Sequence, residues 1–288
     1  MKKQLKVLLY PNLQKEYCVE AVRKVAEKLG SLGISVVLLK EFCEKYPDNN
    51  IRADQTLSEK EGFAESDLAI VLGGDGTMLS AAHIACFTDT PLLGINLGTL
   101  GYMSELELKD IDLLEKLTAD LKFAERMMIN VFVKRNNKLV SEFTALNEAI
   151  ISRGAVASMV KLNLFCDGSL VNSYRADGLI VSTPTGSSAY SMSAGGPIID
   201  TKINAFCVCP ICSHSLAGAR PLVFSPHSVI EIEPESEKGC DIMLTADGRY
   251  SFRLKDKDRI YVKRSAKKTR FVKLKKDAFY DVLKRKLT

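Results

Sequence analysis

The sequence predicts an α/β domain followed by a β-rich, sandwich-like domain, and three observations carry that expectation. The first hundred residues alternate short apolar runs with segments of helical periodicity. From about Arg126 the rhythm changes to short strands separated by turn residues. Near the C-terminus, Phe279, Val282, Leu283 and Leu287 recur at helical spacing, so the chain ends in an amphipathic helix expected to return to the first domain. The expected division is 1–125 for the α/β domain, 126–265 for the β-rich domain and 266–288 for the C-terminal segment and helix.

Each element follows from its pattern. Leu5 to Tyr10 is an apolar strand, after which Val19, Val22, Ala26 and Leu29 fall on one face of a helix that can end at Gly30 or Gly33. Residues 34–39 form the next strand, and the polar stretch 47–55 around Pro47 reads as irregular. The run 68–72 has the continuous apolar character of a strand buried on both faces, a helix opens at Thr77, and 92–95 is another short strand. Strand and helix in alternation make a parallel, Rossmann-like layer. In the second part, strands are expected at 127–134, 138–146, 160–166, 169–174, 179–182, 203–208, 228–233, 241–245, 250–254 and 259–262. That spacing is the mark of a β-sandwich-like domain.

Composition limits the function classes. A chain of 288 residues with 46% hydrophobic content is long enough for two ordinary cores. No apolar run approaches the ~20 residues that cross a bilayer, and the N-terminal run is broken by Lys6 and stopped by Pro11, so neither a membrane role nor a signal peptide is expected. The eight cysteines are scattered through apolar segments, which fits small buried hydrophobes in a reducing cytoplasm. Cys207, Cys209 and Cys212 lie near His214 but have no second pair at zinc-site spacing. Net charge is +5, with basic residues crowded between Lys255 and Lys276. Such a field steers anionic nucleotides, but no basic–aromatic alternation or helix-turn-helix pattern marks a nucleic-acid binder.

Two stretches carry chemistry. In the first, Gly73, Gly74 and Gly76 surround Asp75 between a buried strand and a helix. Glycine lets a ligand approach main-chain N–H groups, and a helix N-terminus favours an anion at the same corner. An Asp in that place also serves as an N-cap or turn residue. The second stretch, Asp177 to Tyr190, is a Ser/Thr/Gly-rich loop with hydroxyls and amides to present. The P-loop pattern and a G-x-G-x-x-G after the first strand are both absent, which excludes a Walker ATPase and a standard dehydrogenase. A further glycine loop, Gly94 to Tyr102, follows another strand, so it and the Asp75 loop can line one crevice beyond the strand ends.

Taken in order, Gly73–Thr77, Gly94–Tyr102, Asn147-Glu148 and Asp177–Pro197 resemble the NAD kinases, which move the terminal phosphoryl group of ATP to the 2′-hydroxyl of the adenosine ribose of NAD. The resemblance spans nearly the whole chain. Lipid and sugar kinases share a related glycine–aspartate loop but not Asn147-Glu148 or the run through Tyr190; a non-catalytic dinucleotide sensor is the other rival. The resemblance implies that Asp75 is catalytic, either as general base or as holder of metal-bound phosphates. It also implies that Gly73, Gly74, Gly76, Thr77, Asn96 and Tyr102 touch nucleotide. In the second domain it assigns Asn147, Glu148, Arg175, Asp177, Thr185, Ser188, Ala189, Tyr190, Ser191, Met192 and Ser193 to the dinucleotide, with Ser158 and Arg249 as weaker transfers. Tyr102 stands where relatives often carry Phe, and His83, His214 and His227 match no catalytic triad. ATP or polyphosphate as donor, Mg²⁺ or another divalent cation carried on the phosphates, and a homodimer or homotetramer complete the implied picture. No fixed protein metal site, nucleic acid or membrane belongs to it.

Overall fold

The structure is a computed structural model describing residues 4–98, 101–154, 159–214, 220–235, 241–255, 257–276 and 278–287. It divides into two compact units, Met1–Glu125 with Thr269–Thr288, and Arg126–Lys268.

The first unit is a parallel sheet with helical connections. Strands β1 (Lys6–Pro11), β2 (Ser35–Leu39), β3 (Gln55–Leu57), β4 (Leu68–Leu72) and β5 (Leu92–Asn96) lie in the order β3-β2-β1-β4-β5, every pair parallel. All five residues of β4 and of β5 are buried, which explains why their sequences run apolar without alternation. Helix α1 (Cys18–Ser31) buries Cys18, Ala21, Val22, Val25, Ala26 and Leu29 along one stripe. The irregular stretch around Pro47 is flanked by two short helices the sequence reading did not include, α2 (Lys40–Lys45) and α3 (Glu59–Glu65). A capping box opens α3, Ser58 Oγ accepting from the Glu61 N–H while the Glu61 carboxylate accepts from the Ser58 N–H. The 3₁₀ segment Leu108–Thr118 was not expected either; its hydrophobic positions serve turns too tight for a 3.6-residue pattern. The C-terminal helix, Ala278–Leu287, belongs to this unit and buries Val282.

The second unit is a sandwich of antiparallel strands. One layer runs Leu222–Phe224, Phe206–Ile211, Gly178–Ser182, Glu148–Arg153, Ile242–Ala246, Tyr250–Leu254. The other contains Ser169–Ala176, Val160–Cys166, Ile230–Glu235, Asp258–Lys273, Lys122–Arg135 and Lys138–Ala145. Alternate residues from both layers, among them Ile129, Val131, Leu162, Leu179, Phe206 and Ile260, meet in one buried cluster. Three hairpins turn on pairs with positive φ at both central positions: Asn136-Asn137 (49° and 62°), Asp167-Gly168 (50° and 82°) and Asp247-Gly248 (50° and 63°). Only Asn, Asp and Gly take that conformation cheaply, and its twist matches the flanking strands.

The strands Glu148–Arg153 and Leu222–Phe224 were not among those the sequence pattern predicts, and Lys122–Arg135 starts before the expected residue 127; two further boundaries differ for local reasons. The strand expected at 203–208 starts at Phe206 because Asp200 holds a turn, its carbonyl accepting from the Ile203 N–H (2.9 Å) and its carboxylate from the Lys202 N–H (2.9 Å). The strand expected at 259–262 runs on to Lys273, since buried Ser265 and Thr269 replace apolar residues at inward positions and hide the alternation.

Asp258, fully buried, is held by a two-pronged ion pair, Arg135 Nε to Oδ1 and Nη2 to Oδ2, each 2.7 Å, with a further N–H from Lys255 at 2.8 Å. Removing the guanidinium leaves an uncompensated buried charge. Arg135→Met should therefore lower unfolding stability by about 3–5 kcal/mol in urea titrations; a loss under ~1 kcal/mol would show that Asp258 is well solvated without its partner.

Candidate functional site

In the first unit, strand order reverses between β1 and β4, so the crevice lies beyond the carboxyl ends of those two strands. A cavity of about 420 Å³ occupies that place, lined by the 10–15 segment, Gly74, Gly76, Thr77 and Ser80. Helix α4 (Asp75–Thr88) starts at its edge, with extended Gly74 as N-cap and no side-chain cap. Asp75 is thus the first helical residue rather than the cap. Its carboxylate leaves its own helix and accepts the main-chain N–H groups of Tyr102 (2.9 Å) and Met103 (3.0 Å). Gly101 makes that approach possible, because a Cβ there would sit 2.0 Å from Asp75 Oδ1. Each carboxylate oxygen keeps further acceptor capacity.

The surrounding residues close the corner. Gly73 is buried at the end of β4, its N–H donating to the Ile95 carbonyl (3.0 Å), and Gly76 is exposed. Thr77 Oγ1 accepts from Asn12 Nδ2 (3.2 Å). Asn96 donates to the Gly98 carbonyl (2.6 Å), leaving its buried Oδ1 without a partner among the described residues. Lys15, exposed, brings its ammonium within 3.7 Å of where a Gly98 Cβ would stand. Tyr102 is half-buried, with the Lys286 ammonium 4.5 Å from its ring centre. Sequence reasoning missed Asn12 and Lys15, which carry no motif of their own.

In the second unit, Asn147 and Glu148 are buried where the Glu148–Arg153 strand begins. Asp247 collects three consecutive N–H groups on its carboxylate: Leu146 (2.7 Å), Asn147 (2.9 Å) and Glu148 (3.0 Å). The carbonyls of the same segment are also matched, Leu146 by Thr183 Oγ1 (2.6 Å), Asn147 by the Thr183 N–H (2.8 Å) and Glu148 by the Asp247 N–H (3.1 Å). The side chains are not, since Asn147 Oδ1 and Glu148 Oε2 are buried without partners among the described residues. Burial first, and the Asp247 charge second, push the Glu148 carboxyl up to about 8.

The loop after Ser182 packs onto this segment. Gly186 sits against it so closely that a Cβ would meet the Asn147 carbonyl oxygen at 2.1 Å. Thr185 is buried, and Ser187 Oγ accepts from the Ile199 N–H (2.9 Å). Ser188 donates to the Thr185 carbonyl (3.1 Å), Ala189 caps the one-turn helix Tyr190–Ser193, Tyr190 is exposed, Ser191 is buried beneath it and Met192 is half-buried. Asp177 pairs with Arg153, Nε to Oδ1 2.8 Å; Arg175 and Arg249 are exposed. His214 gives its main-chain N–H to the Arg175 carbonyl (3.0 Å), and His83 is buried in α4. Ser158 lies outside the described residues. Arg153 and Asp247 are the additions to the sequence reading; the Asp-Gly pair between two strand patterns was the available signal for Asp247.

A parallel α/β unit with an anion corner at its switch point, joined in one chain to a sandwich presenting a buried acid–amide pair, has the build of a two-domain nucleotide-handling protein. Comparison with known proteins agrees. Residues 7–121 match the family model described as the ATP-NAD kinase N-terminal domain, and 146–274 match the ATP-NAD kinase C-terminal domain. The chain belongs to the ATP-NAD kinase family. It is 41% identical over 238 residues to the NAD kinase of Desulforamulus reducens, covering 81% of each chain. It is 37% identical over 291 residues to that of Caldanaerobacter subterraneus subsp. tengcongensis, covering 98% of this chain and 99% of the relative. Its fold is similar to the crystal structure of yeast NADH kinase complexed with NADH, with a TM-score of 0.88, 25% identity and coverage of 99% of this chain and 87% of the other.

The raised carboxyl has a stability consequence whose sign is fixed. Between the ordinary value of 4.5 and about 8, the folded state retains a proton that the unfolded chain releases, so stability falls as pH rises through that window and levels off above it. Glu148→Gln stays neutral throughout. Its melting temperature should lie closest to the wild type near pH 4, exceed it increasingly up to about pH 8 and keep that margin at pH 9; equal curves at both ends would show that Glu148 ionises normally.

Proposed function

We infer that the chain phosphorylates NAD, transferring the terminal phosphoryl group of ATP to the 2′-hydroxyl of the adenosine ribose to give NADP. The observation that carries this reading is the Asn147-Glu148 pair, whose main chain is completely hydrogen-bonded while two buried side-chain oxygens are left for a ligand. Ribose hydroxyls and an adenine amine supply the donors such oxygens need, and the names of the curated relatives give the same substrate.

In this reading Asp177, held by Arg153, is a further acceptor toward the dinucleotide, and the segment from Thr185 to Ser193 surrounds it. Tyr190 offers an exposed ring for stacking. Arg175 and Arg249 contribute at the rim, and Ser158 is assigned by the family resemblance alone. The donor phosphates belong at the anion corner, where Gly74 and Gly76 offer backbone at the helix N-terminus, Gly73 leaves room beside it, Thr77 offers a hydroxyl, Asn96 a buried amide and Lys15 a cation. The 2′-oxygen forms a bond to the terminal phosphorus as the bond from that phosphorus to its bridging oxygen breaks. Asp75 accepts the hydroxyl proton or orients the phosphates.

Among the described residues no group of three or more His, Cys, Asp or Glu stands together to hold a metal ion. One carboxylate plus substrate phosphates is the usual donor set for Mg²⁺, so Asp75 with ATP fits a divalent cation. Such a cation neutralises phosphate charge when bound. No helix among the described residues is long and apolar enough to cross a membrane, and a cytoplasmic location is part of the same reading. So is a homodimer or homotetramer, for which exposed Leu139, Leu170 and Val171 on the second unit provide apolar surface.

The assay is NADP formation from NAD with ATP and Mg²⁺, run in parallel with polyphosphate as donor and NADH as acceptor. Asp75→Asn should slow turnover by ~10²–10⁴-fold with little change in NAD affinity. Near wild-type turnover in that variant would remove Asp75 from the chemistry, and NAD binding without any NADP formation by the wild type would make the chain a dinucleotide sensor.

A further inference from the structure

We propose that Asp247 is the positioning residue of the dinucleotide-binding unit, aiming the Asn147 amide and the Glu148 carboxyl at the ribose. The proposal rests on the reading of Asn147-Glu148 as NAD ligands.

The geometry begins with the ladder. In the register between Ile242–Ala246 and Glu148–Arg153, the last pair is Ala246 with Ala149. Pairing with that strand therefore stops at Ala149, although Ser182 still pairs with Glu148 on the other side, and the N–H groups of residues 146–148 need another acceptor. Asp247, one residue beyond the end of its own strand, supplies it for all three at 2.7–3.0 Å. The hairpin locks the carboxylate in place: φ is positive at Asp247 and Gly248, the Arg249 N–H donates to the Ala246 carbonyl (3.0 Å), and the Asp247 N–H returns to the Glu148 carbonyl (3.1 Å). N–H donation to an ionised acceptor is shorter and stronger than to a neutral one. A segment whose six main-chain groups are all matched cannot rotate its side chains away by moving its backbone.

The charge has a second effect. Glu148 is faced by Asp247 from the hairpin, while Ser182 and Thr183, at the end of the neighbouring strand, bring only hydroxyls. Arg249 is exposed two residues further on. Two buried negative charges side by side are disfavoured, and burial first, with the Asp247 charge second, raises the Glu148 carboxyl to about 8. A protonated Glu148 donates one hydrogen bond and accepts others, so it can serve a ribose hydroxyl in either direction. A role in folding alone has no use for that distinction.

Asp247→Asn preserves size but loses the charge and one acceptor oxygen. The dissociation constant for NAD, measured without ATP, should rise about 10- to 100-fold, with KM for ATP unchanged. The alkaline limb of the NAD-affinity pH profile should move toward lower pH, because removing the neighbouring charge lowers the Glu148 value; Glu148→Gln should erase the limb. Equal affinity for NAD, or equal weakening toward both substrates with an unmoved limb, overturns the proposal. If Asp247→Asn does not fold, Asp247→Gly, which the positive φ at this position tolerates, removes the carboxylate in its place. The same weakened NAD affinity with an unchanged KM for ATP supports the proposal, and wild-type NAD affinity in that variant overturns it. Because NAD binding is measured apart from turnover, a wild type that binds NAD without making NADP leaves the Asp247 comparison readable. A wild type that does not bind NAD removes both.

Discussion

A main-chain N–H that leaves the regular ladder must find an acceptor or bear the cost of its desolvation, and in this chain carboxylates meet that demand at each bend that matters. Asp75 takes two amides from the loop at Tyr102, and Asp247 takes three from Leu146 to Glu148. Glu105 takes those of Leu274 and Lys275, tying the segment before the C-terminal helix to the first unit. Asp67 and Asp54 do the same for the Lys6 and Val36 N–H groups of β1 and β2. Loops that would otherwise be irregular are thereby given one conformation.

These clamps explain how function is separated from stability along the chain. The fully buried Asp258 is paired with a guanidinium and accepts the Lys255 N–H, so its charge is met within the fold. Asp247 is also buried, and its carboxylate accepts three main-chain amides, while part of its field reaches Glu148. The same physics that makes a buried ion pair costly to break makes an amide-clamped carboxylate an electrostatic instrument.

Much of the architecture was legible because it rests on periodicity. Val22, Ala26 and Leu29 announce their helix, the unbroken run Leu68–Leu72 announces a strand covered on both sides, and the change of rhythm near Arg126 falls where the contacts divide. What escaped was encoded in single polar residues. The capping box at Ser58 and Glu61 and the turn at Asp200 are local hydrogen bonds without hydrophobic signature. The same holds at the site. Motif residues such as Asp75 and Asn147 stood out, whereas Asp247 acts across about a hundred residues of sequence, and only folding reveals that a hairpin tip supports the opposite strand end.

The Asp247-Gly248 turn carries one more implication, for how this protein can change over evolutionary time. Its backbone demands a residue that tolerates a left-handed conformation, which leaves Asn, Asp and Gly. The neighbouring amides demand an anionic acceptor with two oxygens. Only aspartate meets both requirements, so hairpin chirality and the conformation of residues 146–148 draw on one codon. Adaptation to heat or to a new acceptor cannot proceed through this position and must be found elsewhere in the sheet.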